Sequence, residues 1–593
     1  MINLKINNIP VSVEEGTTIL DAAKKLNFRI PTLCHHEDLC VAGNCRVCVV
    51  ELKGVRNLQA ACAALVYDGM EIFTNSENVR RVRKHIVELL LTEHNSDCTK
   101  CYKNGKCELQ NMASEYAVGD HPFLDLLQFH NYKIDYSSPS IVKDDSKCIR
   151  CQRCVRVCTE LQEVSAIAVA NKGFEQKIST FFDKPMSNVV CTNCGQCINR
   201  CPTGALIERN YIDDVFDALY DPGKHVVVQT APAVRVALGE DLGIDVGTRV
   251  TGKMVTALKR LGFDAVLDTD FTADLTIMEE GSELLDRLKR ALVDGQTDIA
   301  LPMTTSCSPG WVKFIEHKFP EFLPNVSTCK SPQQMFGALA KTYYAQKKNI
   351  DPSKIVSVSI MPCTAKKFEA DRPEMRDSGY KDVDYVLTTR ELARMIKQAG
   401  LDLQSLEDGK FDSLMGDSTG AAVIFGVTGG VMEAALRTAW EIITGREIPF
   451  QNLNVGPVRG MEGVKAATIR IEGCLEEWKF LEGVELKVAI AHGLVNANEL
   501  MKSVKEGKAE YHFIEVMACP GGCLGGGGQP YPTNAEIRKK RASAIYDEDE
   551  AMVIRKSHEN PEVIQIYKEF LGKPLGHKSH ELLHTHYVQR QGY

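Results

Sequence analysis

The chain has 593 residues, 22 cysteines and a formal net charge of −8 at pH 7. This length exceeds what one hydrophobic core supports, so we expect several domains, and the acidic balance argues against a nucleic-acid partner. Most cysteines lie between Cys34 and Cys201 at spacings that indicate metal ligands, which predicts a reducing compartment. The amino terminus lacks the pattern of a secretory signal, and no apolar run approaches the roughly 20 residues that span a bilayer. We therefore expect a cytoplasmic protein with no membrane span.

The first 78 residues contain four cysteines that predict an iron–sulfur site. They are Cys34, Cys45, Cys48 and Cys62. Short strands are expected around one helix near residues 19–26, ahead of the cysteines. Cys45 and Cys48 form a close pair, and one distant cysteine lies on either side of it. This spacing differs from that of plant-type ferredoxins, but it likewise combines ligands in one loop with a fourth ligand far along the chain. We interpret this as a [2Fe–2S] site. A structural zinc ion is the alternative, because thiolates suit both metals.

Residues 79–118 combine a predicted helix with a histidine and three cysteines. Apolar residues at helical spacing predict a helix from Val79 to Thr92. The set that follows is His94, Cys98, Cys101 and Cys107. Histidine and cysteine together would ordinarily suggest zinc, and a histidine at a helix end is often a cap or core residue. The residues alone leave these alternatives open.

An internal repeat between residues 139 and 209 gives the strongest signal in the chain. Each half has three cysteines at intervals of three residues and then a fourth, as in bacterial two-cluster ferredoxins. In that pattern the fourth cysteine of each run binds the other cluster. We therefore predict two [4Fe–4S] clusters. Their ligands are Cys148, Cys151, Cys154 and Cys201 for one, and Cys158, Cys191, Cys194 and Cys197 for the other.

From about residue 221 onward, cysteines become rare and strands alternate with helices. The predicted strands are HVVVQT at 225–230, FDAVLDT at 263–269 and DIALPM at 298–303. Residues 251–261 form a predicted helix. This order favours a parallel α/β sheet with ligands at the strand ends. The glycine-rich segment at 426–431 lacks the spacing of either phosphate-binding fingerprint, so no dinucleotide site is predicted.

Three cysteine motifs in the second half carry a resemblance to a known family. They are TSCSPGW at 305–311, MPCTAKKFE at 361–369 and EVMACPGGCLGGGGQP at 515–530. In the last motif, four consecutive glycines let the backbone approach a bulky group closely beside two thiols. In this order the motifs resemble those of the iron-only ([FeFe]) hydrogenases. The resemblance extends over nearly the whole chain.

The resemblance implies a multidomain fold with α+β and α/β parts. The expected units are a β-grasp [2Fe–2S] ferredoxin-like domain at 1–78, a histidine-ligated [4Fe–4S] domain at 79–118, a two-cluster bacterial ferredoxin-like domain at 139–209, an α/β [FeFe]-hydrogenase catalytic domain at 221–530, and a helical, small-subunit-like segment at 531–593 that wraps the catalytic domain. The amino-terminal modules are also similar to the large iron–sulfur subunit of respiratory complex I. In both families the motif HNSDCTKCYKNGKC binds a [4Fe–4S] cluster, so the resemblance makes His94, Cys98, Cys101 and Cys107 its ligands.

For the active site, the resemblance implies an H-cluster, which is a [4Fe–4S] cubane joined to a diiron subsite with carbon monoxide, cyanide and a bridging dithiolate. Cys363, Cys519 and Cys523 match the cubane ligands, and Cys523 would bridge to the diiron subsite. Lys366 would hydrogen-bond a cyanide. The residues expected to enclose the diiron unit are Pro232, Ala233, Gln333, Met361 and Met517. The alternative for the two methionines is ordinary core packing.

A proton path is the second expectation from the resemblance. Glu280, Glu283 and Arg287 lie three and four residues apart, so on a helix they share one face. Such a charge run is ordinarily a solvated face. In the family, matching positions form a proton path with a serine and a cysteine, here Ser327 and Cys307, and the cysteine is the last donor.

One position departs from the family pattern. The first motif usually reads TSCCPxW, with its second cysteine binding the cubane, and here that residue is Ser308. Three answers stay open: the Ser308 oxygen is the ligand, Cys307 takes over as ligand and proton transfer suffers, or another thiol moves in. We consider Cys329 a candidate for that thiol; its alternative is a buried apolar cysteine.

The function expected from the resemblance is reversible interconversion of dihydrogen with protons and electrons. The four amino-terminal clusters, one [2Fe–2S] and three [4Fe–4S], would relay electrons between an external carrier and the H-cluster. The modules resemble the catalytic subunit of hetero-oligomeric NAD(P)-linked hydrogenases, some of them electron-bifurcating, with ferredoxin or nicotinamide-binding flavoprotein subunits as partners and with dedicated maturation proteins. A single-chain ferredoxin hydrogenase is the alternative. A non-catalytic relay subunit or a hydrogen-sensing relative is the second alternative.

Overall fold

The computed structural model describes residues 1–119 and 133–591, and its first domain is a small sheet beside one helix. Its elements are β1 (Ile2–Ile6), β2 (Ile9–Val13), α1 (Ile19–Lys25), β3 (Val49–Leu52), β4 (Gln59–Ala60) and β5 (Glu71–Phe73). The sheet order is β2-β1-β5-β3-β4, with β1 and β5 parallel. Thr18 caps α1 because its side chain accepts a hydrogen bond from Asp21 N. This is the β-grasp arrangement that the resemblance implies.

Two further cluster-type domains follow. The helices of the first are α2 (Glu77–Glu93) and α3 (Glu108–Glu115). Helix α2 begins at Glu77, ahead of the predicted start, because the Ser76 hydroxyl accepts a hydrogen bond from Val79 N and so caps it. The elements of the second are β6 (Ile141–Lys143), α4 (Arg153–Arg156), β7 (Ala168–Ala170), β8 (Lys177–Ser179), α5 (Gln196–Arg200) and β9 (Leu206–Glu208). The antiparallel pairs β6–β9 and β7–β8 join the two halves of the repeat.

The remaining elements form an α/β region with two sheets and a helical tail. Its strands are β10 (His225–Thr230), β11 (Ala265–Asp268), β12 (Met303–Thr304), β13 (Ile355–Met361), β14 (Tyr385–Thr388), β15 (Val464–Arg470), β16 (Glu485–His492) and β17 (Phe513–Met517). Its helices are α6 (Ile212–Tyr220), α7 (Thr251–Leu261), α8 (Thr269–Leu292), α9 (Pro309–Lys318), α10 (Pro332–Leu339), α11 (Ala345–Lys348), α12 (Ala365–Ala370), α13 (Thr389–Gln398), α14 (Gly420–Val423), α15 (Gly430–Thr444), α16 (Leu494–Lys505), α17 (Ala535–Ala551), α18 (Pro561–Ile566) and α19 (His577–Leu583).

The first of these sheets is parallel throughout and covered by helices on both faces. Its order is β11-β10-β13-β14. Val226 and Val228 of β10 pack into a core with α6, α7 and α13. Val227 between them packs into a second core with α8 and α10. Because both faces are buried, the strands are continuous apolar runs, as in other parallel α/β sheets.

The second sheet has the order β12-β17-β16-β15. β12, β17 and β16 run parallel, and β15 closes the edge in the antiparallel direction. Helix α15 lies in the core on one face, and α9 and α16 lie in the core on the other. The parallel strands of both sheets end beside one another, so the loops that follow them can meet.

The predicted helices and strands are found in this region, with one exception. The segment DIALPM at 298–303 is not a strand before Met303. Pro302 has no N–H to donate to a ladder, which explains why the pairing with β17 begins only after it.

The carboxy-terminal helices pack on the α/β region. Helix α17 contacts α14, α18 contacts α8, and α19 contacts α10. The last two residues of the predicted 531–593 segment lie outside the described part of the chain. Among residues 1–119 and 133–591, none of the helices combines the length and apolar character that a membrane crossing needs.

Candidate active site and iron–sulfur relay

The four cysteines of the first domain converge in one loop region. The Cys34 thiol hydrogen-bonds those of Cys45 and Cys62, and the Cys48 and Cys62 sulfurs are 3.4 Å apart. Backbone N–H groups of Asn44 and Cys45 point at the Cys34 sulfur, at 3.3 and 3.4 Å. A set of thiols that accepts hydrogen bonds from backbone N–H groups fits a [2Fe–2S] cluster, because the sulfurs of such a cluster carry negative charge. Exposed Cys40 lies apart and hydrogen-bonds Glu160.

The histidine-containing set lies between α2, α3 and the two-cluster domain. His94 is buried at the end of α2, and its Nδ1 has no hydrogen-bond partner in the described part of the chain. Burial lowers the pKa of His94, so the ring is neutral and able to act as a ligand at neutral pH. A Cβ on Gly204 would lie 2.5 Å from the Cys101 sulfur, so glycine permits the close approach of the next domain. A buried, neutral imidazole whose Nδ1 lacks a hydrogen-bond partner among the described residues fits a metal ligand.

The structure groups the cysteines of the repeat into the exchanged sets that the sequence predicts. One small cavity is lined by Cys148, Cys151, Cys154 and Cys201. The second group is Cys158, Cys191, Cys194 and Cys197, whose thiols interact electrostatically. The fourth cysteine of each run therefore lies with the three of the other run. Each of the eight cysteines is buried or half-buried, which suits cubanes shielded from water.

Four parallel strands from the two sheets end at one cavity. β10 leads into Pro232, β12 into Cys307, β13 into Cys363 and β17 into Cys519. Ligand sites in α/β sheets form at such carboxyl ends. The cavity is lined by Ala231, Pro232, Thr269, Ala273, Cys307, Ser308, Pro309, Pro332, Gln333, Met361, Pro362, Cys363, Lys366, Phe425, Met517, Ala518, Cys519, Gly522, Cys523 and Gly526. The three separate motifs thus meet in space.

Glycines let the last motif approach its neighbours closely. An added Cβ would lie 2.2 Å from Pro362 O at Gly526, and 2.7 Å from Thr428 N at Gly522. At Gly527 it would lie 2.4 Å from Cys194 O, in the two-cluster domain. Real Cβ atoms do not approach so closely, so the glycine run brings the Cys519 to Cys523 loop against both the second motif and the adjacent cluster domain.

The donor set of the cavity fits a cubane with one unusual ligand. The Cys363 and Cys519 side chains hydrogen-bond one another, and Cys523 lies in the same cavity. Ser308 lines this cavity immediately before α9, and its hydroxyl accepts a hydrogen bond from Ala518 N at 3.2 Å. Three thiols and one hydroxyl therefore converge, with the Cys307 thiol beside them.

Cys329 lies elsewhere, contrary to the idea that it replaces the missing cysteine. Its sulfur is 3.9 Å from a Glu283 oxygen and 4.0 Å from His584 Nδ1. Its isolated antiparallel bridge with His584 of the carboxy-terminal segment places its sulfur beside Glu283 of α8 and outside the cavity lining. The structure thus brings Ser308, and not Cys329, to the other candidate ligands.

Polar residues behind the cavity are held in a buried network. Lys366 Nζ donates to Cys307 O at 3.0 Å and to Glu369 at 2.9 Å. Gln333 donates to Glu369 at 3.1 Å and accepts a hydrogen bond from Ser359 at 2.8 Å. Glu369 was not predicted, although it ends the second motif. Its carboxylate holds the Lys366 ammonium in place.

The apolar residues expected around the diiron unit divide into two positions. Pro232, Met361 and Met517 line the cavity itself. Ala233 packs behind it in the same core as Met517, and its carbonyl accepts a hydrogen bond from Gln529 at 3.1 Å. The methionines are therefore core residues and cavity walls at once.

The predicted charged face of α8 points into the protein rather than into solvent. Glu280 is 2% exposed, and its Oε1 has no hydrogen-bond partner among the described residues. Ser306 N and the Ser327 side chain hydrogen-bond its carboxyl group. Burial, followed by repulsion from Glu283, raises the pKa of Glu280 to about 8. Burial, followed by the charge of the nearby Glu280, raises the pKa of the Cys307 thiol as well.

Ser327 joins Glu280 to the outer members of the path. Its hydroxyl donates to Glu283 Oε2 at 3.0 Å. Arg287 donates to Glu283 Oε1 at 2.7 Å and to the Ala300 and Pro324 carbonyls. Glu283 and Arg287 are slightly exposed at their side chains, 10% and 11%. The five predicted residues therefore form one connected row from the cavity toward the surface.

Comparison with protein families divides the chain into five matches. They are the C-terminal domain of the iron only hydrogenase large subunit over 224–527, the iron hydrogenase small subunit over 535–590, a 2Fe-2S iron-sulfur cluster binding domain over 1–77, the NADH-ubiquinone oxidoreductase-G iron-sulfur binding region over 83–122, and the ferredoxin-like domain of NADH-quinone oxidoreductase subunit 3 over 138–207. The mixed multidomain fold class predicted from the sequence is confirmed.

Relatives match over the whole chain. It is 52% identical to the NADP-reducing hydrogenase subunit HndD of Solidesulfovibrio fructosivorans, covering 100% of this chain and 99% of that protein. It is 41% identical to iron hydrogenase 1 of Clostridium pasteurianum, covering 98% and 99%. An apo variant of the [FeFe]-hydrogenase HydA1 from Chlamydomonas reinhardtii is 45% identical with a TM-score of 0.57, covering 64% of this chain and 99% of that one. The chain belongs to the family of iron-only ([FeFe]) hydrogenases, as the three motifs predict.

Proposed function

We propose that the protein is a hydrogenase that interconverts dihydrogen with two protons and two electrons. The observation that carries this proposal is the cavity in which Cys363, Cys519, Cys523 and Ser308 meet, with the Cys307 thiol beside them. If the other four residues bind the cubane, the Cys307 thiol stays free to donate a proton. It adjoins the buried Glu280 carboxyl group, so the cavity has both a ligand set and a proton donor.

We assign the cubane to Cys363, Cys519, Cys523 and the Ser308 oxygen. The position of Ser308 in the cavity supports this choice, and the position of Cys329 beside Glu283, outside the cavity lining, speaks against a replacement thiol. When bound, the diiron unit supplies an open coordination position for dihydrogen chemistry. Lys366, held by Glu369, would donate a hydrogen bond to a cyanide, while Met361 and Met517 would exclude water.

Protons would move along the row from Cys307 to Arg287. A protonated Glu280 can donate to the Ser327 oxygen, while the Ser327 hydroxyl donates to Glu283. A pKa near 8 keeps Glu280 mostly protonated at neutral pH yet within reach of proton exchange. Arg287 holds the Glu283 carboxylate near the surface, where solvent can exchange protons.

Electrons would move through the amino-terminal clusters. The contact between Gly527 and the Cys194 loop supports the second cubane of the two-cluster domain as the last relay before the cavity. The remaining sets would carry one [2Fe–2S] and two more [4Fe–4S] clusters on the way from an external carrier.

The electron carrier is part of the proposal. The full-length similarity to an NADP-reducing hydrogenase subunit, together with two modules of the kind found in NADH–quinone oxidoreductases, supports a catalytic subunit of a cytoplasmic, hetero-oligomeric, NAD(P)-linked complex. Flavoprotein subunits would then bind the nicotinamide, and ferredoxin would be a further partner in a bifurcating complex. A single-chain ferredoxin enzyme is the second candidate, because the chain is similar over its full length to a protein named simply iron hydrogenase 1 as well as to a subunit of a complex. Isolation of the tagged protein from its host, with its co-purifying subunits identified, separates the two.

Infrared spectroscopy tests the central proposal. The anaerobically purified protein, co-expressed with hydrogenase maturation proteins, should show carbon monoxide and cyanide stretches and should evolve dihydrogen from a reduced low-potential dye. A protein with a full cubane content that shows neither the bands nor dihydrogen evolution would be a relay or a degenerate relative, and the proposal would be wrong.

A further inference from the structure

Three side chains that could bind a metal ion meet outside the cavity. Glu283, Cys329 and His584 are all buried, and their ligand atoms lie within 4.8 Å of one another. The Cys329 sulfur is 3.9 Å from Glu283 Oε2 and 4.0 Å from His584 Nδ1. The proposed proton path uses only Glu283 of these three.

The backbone holds two of these side chains side by side. Cys329 and His584 are directly opposite each other in an isolated antiparallel bridge. Hydrogen bonds from Lys330 N to Leu583 O and from Thr585 N to Thr328 O, at 2.8 and 2.7 Å, fix the register. Directly opposed residues of an antiparallel pair project to the same face. The bridge therefore presents one sulfur and one imidazole nitrogen together to the Glu283 side of α8.

The donor atoms suit a zinc-type cation. Thiolate, imidazole and carboxylate are the ligands that Zn²⁺ takes in proteins, at about 2.3 Å for sulfur and about 2.0 to 2.1 Å for nitrogen. Tetrahedral binding at those lengths separates sulfur and nitrogen by about 3.5 Å, so the observed 4.0 Å needs a small contraction. The Thr328 hydroxyl lies between Glu283 Oε2 at 3.2 Å and His584 Nδ1 at 2.8 Å, where it or a water can complete the set.

The charge around the three ligands also favours a cation. The carboxyl groups of Glu279 and Glu283 both act on the buried Cys329 thiol. Arg287 donates to the Oε1 of Glu283, while Oε2, which accepts hydrogen bonds from the Ser327 hydroxyl and from Thr328 N, lies 3.9 Å from the Cys329 sulfur. Binding of Zn²⁺ would release the Cys329 thiol proton and put a thiolate in its place, without any change of oxidation state.

We propose that Glu283, Cys329 and His584 form a binding site for Zn²⁺ or a cation of similar thiol affinity, and that a bound cation stops proton transfer through Glu283. The binding part stands on the geometry alone. The inhibitory part rests on the proposed function, because it needs Glu283 to pass protons.

Zinc binding is tested on the anaerobic, cluster-loaded protein with Zn²⁺ as the probe. In equilibrium dialysis, the protein should bind one equivalent of Zn²⁺ tightly while its iron content stays unchanged. X-ray absorption at the zinc edge, which iron does not obscure, should show one sulfur at about 2.3 Å together with nitrogen or oxygen neighbours. Cys329→Ala should weaken this equivalent at least about tenfold. Cys474→Ala is the matched thiol control, and His558→Gln removes the other candidate group, formed by Glu441, His558 and Glu559. Both controls should keep the equivalent.

Three results would overturn the site. They are a zinc spectrum without sulfur, an affinity unchanged in Cys329→Ala, and a loss of the equivalent in Cys474→Ala. If Cys329→Ala does not fold, His584→Gln and the spectrum of the parent protein decide the matter in the same way.

The inhibitory part is tested by the ratio of dihydrogen evolution with and without stoichiometric Zn²⁺, taken for each protein against its own zinc-free rate. The parent rate should fall at least tenfold and recover on chelation, whereas the Cys329→Ala ratio should stay near one. A parent protein that binds zinc through sulfur and keeps its full rate would refute the inhibition. A protein that binds zinc but lacks carbon monoxide bands would instead contradict the proposed function and leave the metal site standing.

Discussion

Replacing Glu280 by glutamine should stop turnover while leaving the clusters in place. The side chain is fully buried, and burial with the nearby Glu283 charge raises its pKa from 4.5 to about 8. A shift of that size disfavours the charged form by about 5 kcal/mol. At pH 7 the carboxyl group is thus mostly protonated, and releasing its proton to solvent costs only about 1.4 kcal/mol. Glutamine keeps the shape and the hydrogen bonds but cannot pass a proton.

The expected loss is the contribution of one positioned proton-transfer group, about 10² to 10⁴-fold in dihydrogen evolution. Rates are measured with a reduced dye, beside infrared spectra and iron content, which should match the parent. Asp286→Asn is the matched control, because Asp286 lies on the same helix with its side chain 51% exposed. Glu280→Gln with more than half of the parent rate would show that protons reach Cys307 by another route.

The same substitution should change the pH dependence of stability. Because the folded protein holds the Glu280 proton up to about pH 8, it binds more protons than the unfolded chain above pH 4.5, and its stability falls through that window as pH rises. Glutamine removes this loss. The free energy of unfolding of Glu280→Gln, relative to that of the parent protein, should therefore rise by about 2 to 3 kcal/mol between pH 6 and pH 8.5. The measurement is the thermal midpoint of the catalytic region in both proteins as a function of pH. A constant gap would mean that the folded protein does not hold this proton.

Substitutions at Ser308, His94 and Gly527 test the clusters and their packing. Ser308→Ala should lose the paramagnetic signal of the active-site cubane and Ser308→Cys should keep it; equal signals in the two would remove the serine oxygen from the ligand set. His94→Cys replaces a neutral ligand by a thiolate, so the midpoint potential of that cluster should fall in a redox titration, and an unchanged or higher potential would contradict histidine ligation. Gly527→Ala places a Cβ 2.4 Å from Cys194 O and should lower both the thermal midpoint and the rate, whereas Gly456→Ala, with nothing within 4 Å, should change neither.

The parts of the structure that spacing dictates were predictable from the sequence. The exchanged cysteine sets follow from a repeat in which each run contributes one residue to the other group, and the cavity of Cys148, Cys151, Cys154 and Cys201 has that form. The meeting of the three motifs was implied by the family resemblance that these motifs carry, and the structure explains it by their position after parallel strands, which end at a common edge. In both cases, a pattern in the local sequence marks the residues that form the long-range contact.

Contacts without a local pattern were not predictable. His584 reaches Thr328 through a bridge between segments more than 250 residues apart, and its sequence neighbourhood looks like an ordinary polar helix end. Glu369 ends a motif, but its role depends on the Lys366 ammonium that it holds. The closeness of Cys329 in sequence to the motif residues Ser327 and Gln333 favours it as a cubane ligand. In the structure, the bridge with His584 places the Cys329 side chain beside Glu283 instead, and no local sequence pattern predicts that bridge.

Ser308, which stands where the family has a cysteine, lies between the proton path and the contact with the two-cluster domain. Cys307, one residue earlier, interacts with Glu280. At Gly310, two residues later, an added Cβ would lie 3.7 Å from Cys194 Cβ and 2.9 Å from Ala518 Cβ. One turn of chain therefore changes from contacting the proton relay to contacting the adjacent cluster domain. Pro309 begins α9 and fixes this turn, so a hydroxyl can replace a thiol at 308 while both neighbours keep their positions.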